Sequence, residues 1–301
     1  MKALLRWFSS FTFTFFTTAV ACVAQTSANC TYQTFQYPGA SHTTANGINQ
    51  WGTIVGQVDD LAVSNEFGFI RYSNGQSQQI TMPGAVSTRL FRRNAGGASV
   101  GTYIDSSGQG HGLLLSGGKF STIDYPGAST ELRRINKWGT IVGFYLNSSG
   151  HAVGFKRWTN GSFSIIQFPG QSDTFPSAIS DSGVIVGWVG AGAPPGGARG
   201  FVLANGKYLY VDDPNSTARQ TVLYDINANG VIVGTGWNSA VGGAQPHGFQ
   251  IVNGKFEYLS VPGALWEYAN GINGSGVIVG GAAFAISNTQ GVDKGFIAHC
   301  Q

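Results

Sequence analysis

Two arginine pairs, Arg92-Arg93 and Arg133-Arg134, stand out in a 301-residue chain of which only 10% is charged. An ordinary soluble domain carries roughly 25%. A guanidinium is planar, permanently charged and forks its donors onto carboxylate, sulfate or phosphate. Four of them in two short stretches suggest capture of an anionic group, for example an acidic sugar. The competing expectation is structural: the arginines pair with Glu131, Asp225 or backbone carbonyls.

Flat aromatic rings are the second resource, because they stack on sugars. Trp266, Tyr224, Tyr103, Tyr145, Trp188 and Trp237 are the candidates, with core packing the alternative, above all for Trp188. Trp266 is expected in a loop between repeats, beside Glu267, where the other five repeats have Thr. The expected ligand-binding set is therefore Arg92, Arg133, Arg134, Tyr224, Asp225, Trp266 and Glu267.

Catalysis has weaker support. The five histidines, His42, His111, His151, His247 and His299, are scattered, and no spacing resembles a metal cluster. Hydrogen bonding at a strand start is the expected role for His111 and His247. A glycosidase needs two carboxyls facing across a cleft; Asp173, Asp225 and Glu267 are the acids that could meet near the axis. No catalytic residue, metal site or cofactor is assigned.

These residues must be positioned by a repeat. Pro38, Pro83, Pro126, Pro169, Pro214 and Pro262 recur every 43 to 48 residues. Each is followed by an Ile-Val-Gly-like element, as in Ile54-Val55-Gly56, Ser99-Val100-Gly101 and Ile232-Val233-Gly234. Five residues before it stands Asn49, Asn94, Asn136, Ser180, Asn227 or Asn273. A Gly plus a large apolar residue then follows, from Gly68-Phe69 to Gly295-Phe296. Each repeat reads as four antiparallel strands, a to d. Asn74-Gly75, Gly117-Gly118, Asn160-Gly161, Asn205-Gly206 and Asn253-Gly254 predict two-residue type I′ turns between c and d.

Four short strands per 40–50 residues are expected to make a propeller blade. An open solenoid is the rival. The last repeat stops at Gln301 without a strand d, and Tyr32–Tyr37 is a strand d without a repeat. Joining them closes a six-bladed ring and removes exposed edges. Aligning the repeats puts Cys30 and Cys300 on the two c–d turn positions, so a Cys30–Cys300 disulfide is expected. In this layout strand a is innermost. It presents one column of Asn46, Phe91, Arg133, Ser177, Tyr224 and Asn270. Beside it runs a second, of Gly47, Arg92, Arg134, Ala178, Asp225 and Gly271. The longer loops share one face, three of them in the last blades: 189–199, 238–246 and 282–294. Trp51 and Trp138 fall on the opposite face and are expected to be structural.

The N-terminus reads differently. Lys2 and Arg6 precede an uncharged apolar stretch to Ala24, the pattern of a secretory signal peptide over residues 1–24. The mature domain, 25–301, is then near neutral, with 15 basic and 14 acidic residues. That balance argues against a nucleic-acid partner. Ala19-Val20-Ala21-Cys22 also resembles a lipoprotein cleavage box, so a lipid on Cys22 is an alternative to free secretion. A monomer without a membrane span is expected, secreted, periplasmic or at the cell surface.

Gly47-Ile48-Asn49-x-x-Gly52-x-Ile54-Val55-Gly56, with His247-Gly248-Phe249, resembles the HAF repeat family of extracellular bacterial repeat proteins. The resemblance covers the chain from about residue 30 onward. Phe67 and Arg199 depart from the His of that element. It implies a secreted bacterial protein and transfers no functional residues. The leading expectation is a binding module with a polar, anionic or polysaccharide ligand at the channel mouth. An extracellular lyase or hydrolase, and a scaffold without small ligand, are the alternatives.

Overall fold

The computed structural model describes residues 26–59, 66–190, 197–216, 220–238, 245–286 and 291–301. Residues 1–24, with Cys22, lie outside them, as do 191–196, 239–244 and 287–290 of the three long loops. Among the described residues the chain is all β, without a helix. None of their segments is a helix long and apolar enough to cross a membrane.

The strands form antiparallel sets of four in chain order. Thr43–Ile48, Ile54–Asp59, Glu66–Arg71 and Ser77–Ile80 make the first. Sets beginning at Ser87–Arg93, Thr130–Ile135, Thr174–Ile179 and Thr221–Ile226 repeat the order. Trp266–Ile272, Val277–Ala285 and Gly291–Cys300 begin the last, and the N-terminal strand Cys30–Phe35 is its fourth member. Cys30 lies directly opposite Cys300 in that pairing, and the two form a disulfide. Closing so long a loop stabilises by about 5 kcal/mol in the chain-entropy model.

The repeated motifs have local physical causes. In every first strand the register slips by one residue, at Asn46, Phe91, Arg133, Ser177, Tyr224 and Asn270. Such a bulge sets two residues against one on the neighbouring strand and bends the backbone. It drives a carbonyl into the next strand, where only glycine fits. A Cβ on Gly56 would stand 2.0 Å from Thr44 O and 2.7 Å from Phe69. Gly56 and Phe69 thus belong to one packing unit. Phe69, Phe155, Phe201, Phe249 and Phe296 are all fully buried, each worth ~1.5–3 kcal/mol. Core clusters lie between successive sheets: Val55, Ile70 and Ile80 pack on Leu90, Leu113 and Leu115. Val279 of the last sheet packs on Ile48 and Phe69 of the first.

A recurring Thr holds the turn before five of the six first strands. Thr43, Thr88, Thr130, Thr174 and Thr221 accept the backbone N–H of Tyr37, Met82, Tyr125, Phe168 and Asp213 at 2.8–3.0 Å. The Asn that follows five of the six first strands has two jobs. Asn49 Oδ1 accepts Thr53 N–H at 2.9 Å and closes its own turn. Asn49 Nδ2 reaches Asn94 O in the next repeat at 3.5 Å. The ladder continues from Asn94 to Asn136, Asn136 to Ser180, Asn227 to Asn273 and Asn273 back to Asn49. Ser180 has no amide to pass it to Asn227.

Two expectations about turns need correction. Gly117-Gly118, Asn205-Gly206 and Asn253-Gly254 carry positive φ at both residues, as type I′ demands. At Asn74-Gly75 and Asn160-Gly161 only the glycine does. There Gly75 N–H bonds Tyr72 O and Tyr72 N–H bonds Gln76 O, a five-residue loop with the glycine in the left-handed position. Asn74 Oδ1 caps Gln76 N–H at 3.0 Å, which favours the longer loop.

Candidate functional site

The bulges decide what the first strands present inward. Because the extra residue breaks the two-residue alternation, Arg92, Arg134 and Asp225 of the second column turn to the same side as the first, while Ala178 packs in the core. One small cavity of ≈ 70 Å³ is lined from every repeat: Asn46, Phe91 with Arg92, Arg133 with Arg134, Ser177, Tyr224 with Asp225, and Asn270. Five of the seven expected ligand-binding residues therefore meet there.

At its base Asp225 holds two arginines. Arg92 Nη1 donates to Asp225 Oδ2 at 2.8 Å, and Arg134 Nη1 pairs with Asp225 Oδ1. Ile226 N–H and Ile272 N–H fill the remaining acceptor positions at 2.8 and 2.9 Å. Arg92 Nη2 and Arg134 Nη2 also donate to Ile272 O and Ile226 O, at 3.3 and 3.2 Å. Asp225 is 2% exposed and each arginine 8%. Burial lowers Arg92 to about 9, opposed by the charge of Asp181. Burial, then the like charge of Arg92, brings Arg134 well below the usual guanidinium range.

Above this trio the space widens into a mouth of ≈ 390 Å³. Trp237, Trp266, Tyr268 and Tyr224 contribute aromatic surface, with Trp266 edge-on to Tyr268 at 5.1 Å between ring centres. Arg89, Glu131, Arg133, Asn46, Asn270 and Asp293 supply polar groups. Arg133 Nε lies 2.5 Å from Glu131 Oε1, and its guanidinium stacks 4.5 Å over Phe91. Burial raises the Tyr224 phenol, partly offset by Arg133.

Three expected placements are corrected. Trp266 and Glu267 begin a strand rather than sitting in a loop, so their side chains point to opposite sides. Trp266 faces the mouth. Glu267 is buried toward Gly248 and His247, and desolvation raises its carboxyl to about 7 although the Gly248 N–H and His247 lower it. Asp173 is also elsewhere, accepting Ala152 N–H at 2.8 Å and bonding His151 at 3.1 Å. Asp173, Asp225 and Glu267 thus do not meet. Arg93 does not line the inner cavity and donates to Ser99 Oγ at 3.0 Å.

Several aromatic candidates are packing residues. Trp188 is 6% exposed and stacks on Phe175 at 3.7 Å, and Trp237, though it borders the mouth, is 4% exposed and packs in the same core cluster. Tyr145 stacks on Tyr125 and Tyr103 on His111. Trp51 and Trp138 are exposed but donate their indole N–H to Ala95 O and Asp181 O of the next repeat.

His111, His151 and His247 bond acids where third strands begin. His111 Nδ1 lies 2.8 Å from Asp124 Oδ2. Burial opposes its protonation, but Asp124 and Asp105 prevail and raise its pKa. His247 Nε2 lies 2.6 Å from Asp213 Oδ2, and Tyr258 donates to Asp213 Oδ1 at 2.6 Å. Asp213 has no exposed side-chain surface, so this cluster is internal. Among the described residues, no group of three or more His, Cys, Asp or Glu gathers around a metal-sized space.

Arg89, Tyr268 and Asp293 were missed by the sequence reading. The signal for two of them was there: Arg89 and Tyr268 stand two residues before Phe91 and Asn270, on the same face of a strand. Asp293 lies at the far end of a long hairpin, and no local period reaches it.

No protein-family model matches the chain, and no curated protein matches it. Solved structures do resemble it. A protein of unknown function from Dyadobacter fermentans is 9% identical over 90% of this chain and 99% of its own, with a TM-score of 0.54. A triple arginine mutant of AofleA from Arthrobotrys oligospora is 10% identical over 92% and 93%, also at 0.54. A thermostable family-43 glycoside hydrolase is 9% identical over 91% and 92%, with a TM-score of 0.38. At these identities the first two likenesses are of fold alone, and the third carries no argument.

Proposed function

We propose that this chain is a secreted six-bladed β-propeller of the HAF repeat kind, and that it binds a carbohydrate, neutral or acidic, in the mouth cavity. The N-terminal strand completing the last sheet and the Asn273 contact to Asn49 support the ring. The Cys30–Cys300 disulfide fits an oxidising compartment outside the cytoplasm, and the N-terminal pattern fits export, with or without a lipid on Cys22.

One observation carries the ligand class. The mouth sets Trp266, Tyr268 and Tyr224 beside Arg133, Glu131, Asn46 and Asn270. Ring faces for stacking beside planar amides and a held guanidinium are what a sugar with hydroxyls and a carboxylate would engage. Hydrolysis is less well supported. The mouth acids Glu131 and Asp293 are already paired, with Arg133 and with His42.

The test is the melting temperature of mature protein against neutral, uronic and sulfated oligosaccharides. A ligand at a hundred times its Kd adds ~2.7 kcal/mol, a shift of a few degrees for this size. Trp266→Ala should abolish the shift. No shift with any oligosaccharide would sink this reading and favour a scaffold.

A further inference from the structure

The arginine pair opens on a second cavity, on the side of the turns that follow the first strands. This cavity, ≈ 210 Å³, is lined by Arg92, Arg93, Arg134, Lys137 and Asp181 among the turn residues. Asp225 lines the inner cavity on the mouth side but not this one. We propose that the turn-side cavity is a separate binding site for an oxyanion: carboxylate, sulfate or phosphate.

Donor and charge accounting lead there. Asp225 is saturated by two arginines and two backbone N–H groups. It is one carboxylate against two guanidiniums, so one positive charge stays buried without a counter-charge in contact. Such a charge is costly and favours a bound anion. The protein also leaves the Arg134 guanidinium incompletely satisfied, since its Nε is buried without a hydrogen-bond partner. Asp181 does not supply the missing charge by contact. Its Oδ1 accepts Lys137 N–H at 3.0 Å and its Oδ2 faces Lys137 Nζ at 3.5 Å.

Two departures from the repeat point the same way. Arg93 stands where the other repeats have Ile48, Ile135, Ile179, Ile226 and Ile272. Lys137 stands at the turn position of Gln50, Ala95, Asp181, Ala228 and Gly274. The frame requires neither cation, yet both line this cavity. Asn49, Asn94, Asn136 and Asn227 around it each give one amide contact to the ladder between repeats, and the charged donors of the cavity are its basic side chains.

The experiment is calorimetric titration of the purified protein with sodium sulfate, sodium phosphate and sodium glucuronate, each against sodium chloride at equal ionic strength. Binding above the chloride baseline is expected. Its pattern among the three separates a free inorganic anion from the acid group of a sugar. Arg93→Ile with Lys137→Ala restores residues that other repeats tolerate, so folding is retained, and should weaken binding by about tenfold or more. Trp266→Ala should leave it unchanged. Anion binding absent from the wild type, intact in Arg93→Ile/Lys137→Ala, or lost in Trp266→Ala would each overturn the proposal. Oligosaccharide binding at the mouth is read separately, so either site can fail alone.

Discussion

The first strands of the second and third repeats carry Arg92 and Arg134 where those of the first and sixth carry Gly47 and Gly271. The backbone is the same in all four, with its bulge one residue earlier. What differs is how that frame is filled. A Cβ on Gly47 would stand 2.5 Å from Phe91 O and 3.2 Å from Arg92 Cδ, and one on Gly271 would stand 2.9 Å from Gly47 Cα. The glycines let neighbouring strands approach and leave the room that the Arg92 stem occupies. The arginine side supplies charge, and the glycine side supplies space. Asp225, from the fifth repeat, ties the two together by bonding Arg92, Arg134 and the backbone of Ile272. Departures from the repeat are thus complementary sets rather than independent substitutions.

The largest test of this pairing is Asp225→Ala. It leaves two buried guanidiniums without their carboxylate and should cost about 3–5 kcal/mol in urea unfolding. Adding Arg92→Gly should recover part of the loss, because the uncompensated charge is then smaller. No recovery would mean that the trio is not an energetic unit.

Glu267 sharpens the contrast between the sixth repeat and the others. It replaces the turn-holding Thr, and burial raises its carboxyl from 4.5 to about 7, against the Gly248 N–H and His247. Its folded pKa lies above its unfolded one. Its contribution is therefore complete below pH 4.5 and lost as pH rises through about 7. The loss amounts to about 3 kcal/mol by neutral to alkaline pH. Glu267→Thr should flatten stability against pH across that window, measured by thermal unfolding at several pH values. An unchanged slope would show that the carboxyl ionises freely in the fold.

Gly47→Ala probes the space-giving side. The methyl must push Phe91 O or the Arg92 stem, for a loss of about 1–3 kcal/mol. A neutral effect would show that the strands are not in close contact there. The smallest effect is a gain. Ser180→Asn should supply the missing amide to Asn227 O and stabilise by about 1 kcal/mol, seen as a higher melting temperature. A loss would mean the ladder has no net value.

Much of the frame was legible in the residues. Hairpins, bulge glycines and buried phenylalanines are specified by neighbours within one repeat, and the recurrence of the pattern exposes them. The disulfide followed from register alone, since Cys30 and Cys300 fall on the two turn positions of an aligned repeat. Even the inner columns could be read, because one strand per repeat must lie innermost. The side to which Glu267 points was not legible, because it depends on where strand Trp266–Ile272 begins, and a shift of one residue reverses it. Asn74 and Asn160 misled for a related reason: their side chains cap a backbone N–H and choose a longer loop than Asn-Gly alone implies.

The sequence by itself determined the repeat, its strands, its turns and the pairing of its two ends, since each is set by local stereochemistry repeated in register. Only the tertiary structure decided that Asp225 is saturated, that Asp173 and Glu267 stand apart from it, and that Arg92 and Arg134 face two cavities. Those facts depend on side chains 90 to 180 residues apart meeting across the interior, and no periodicity along a chain encodes how many donors will compete for one carboxylate.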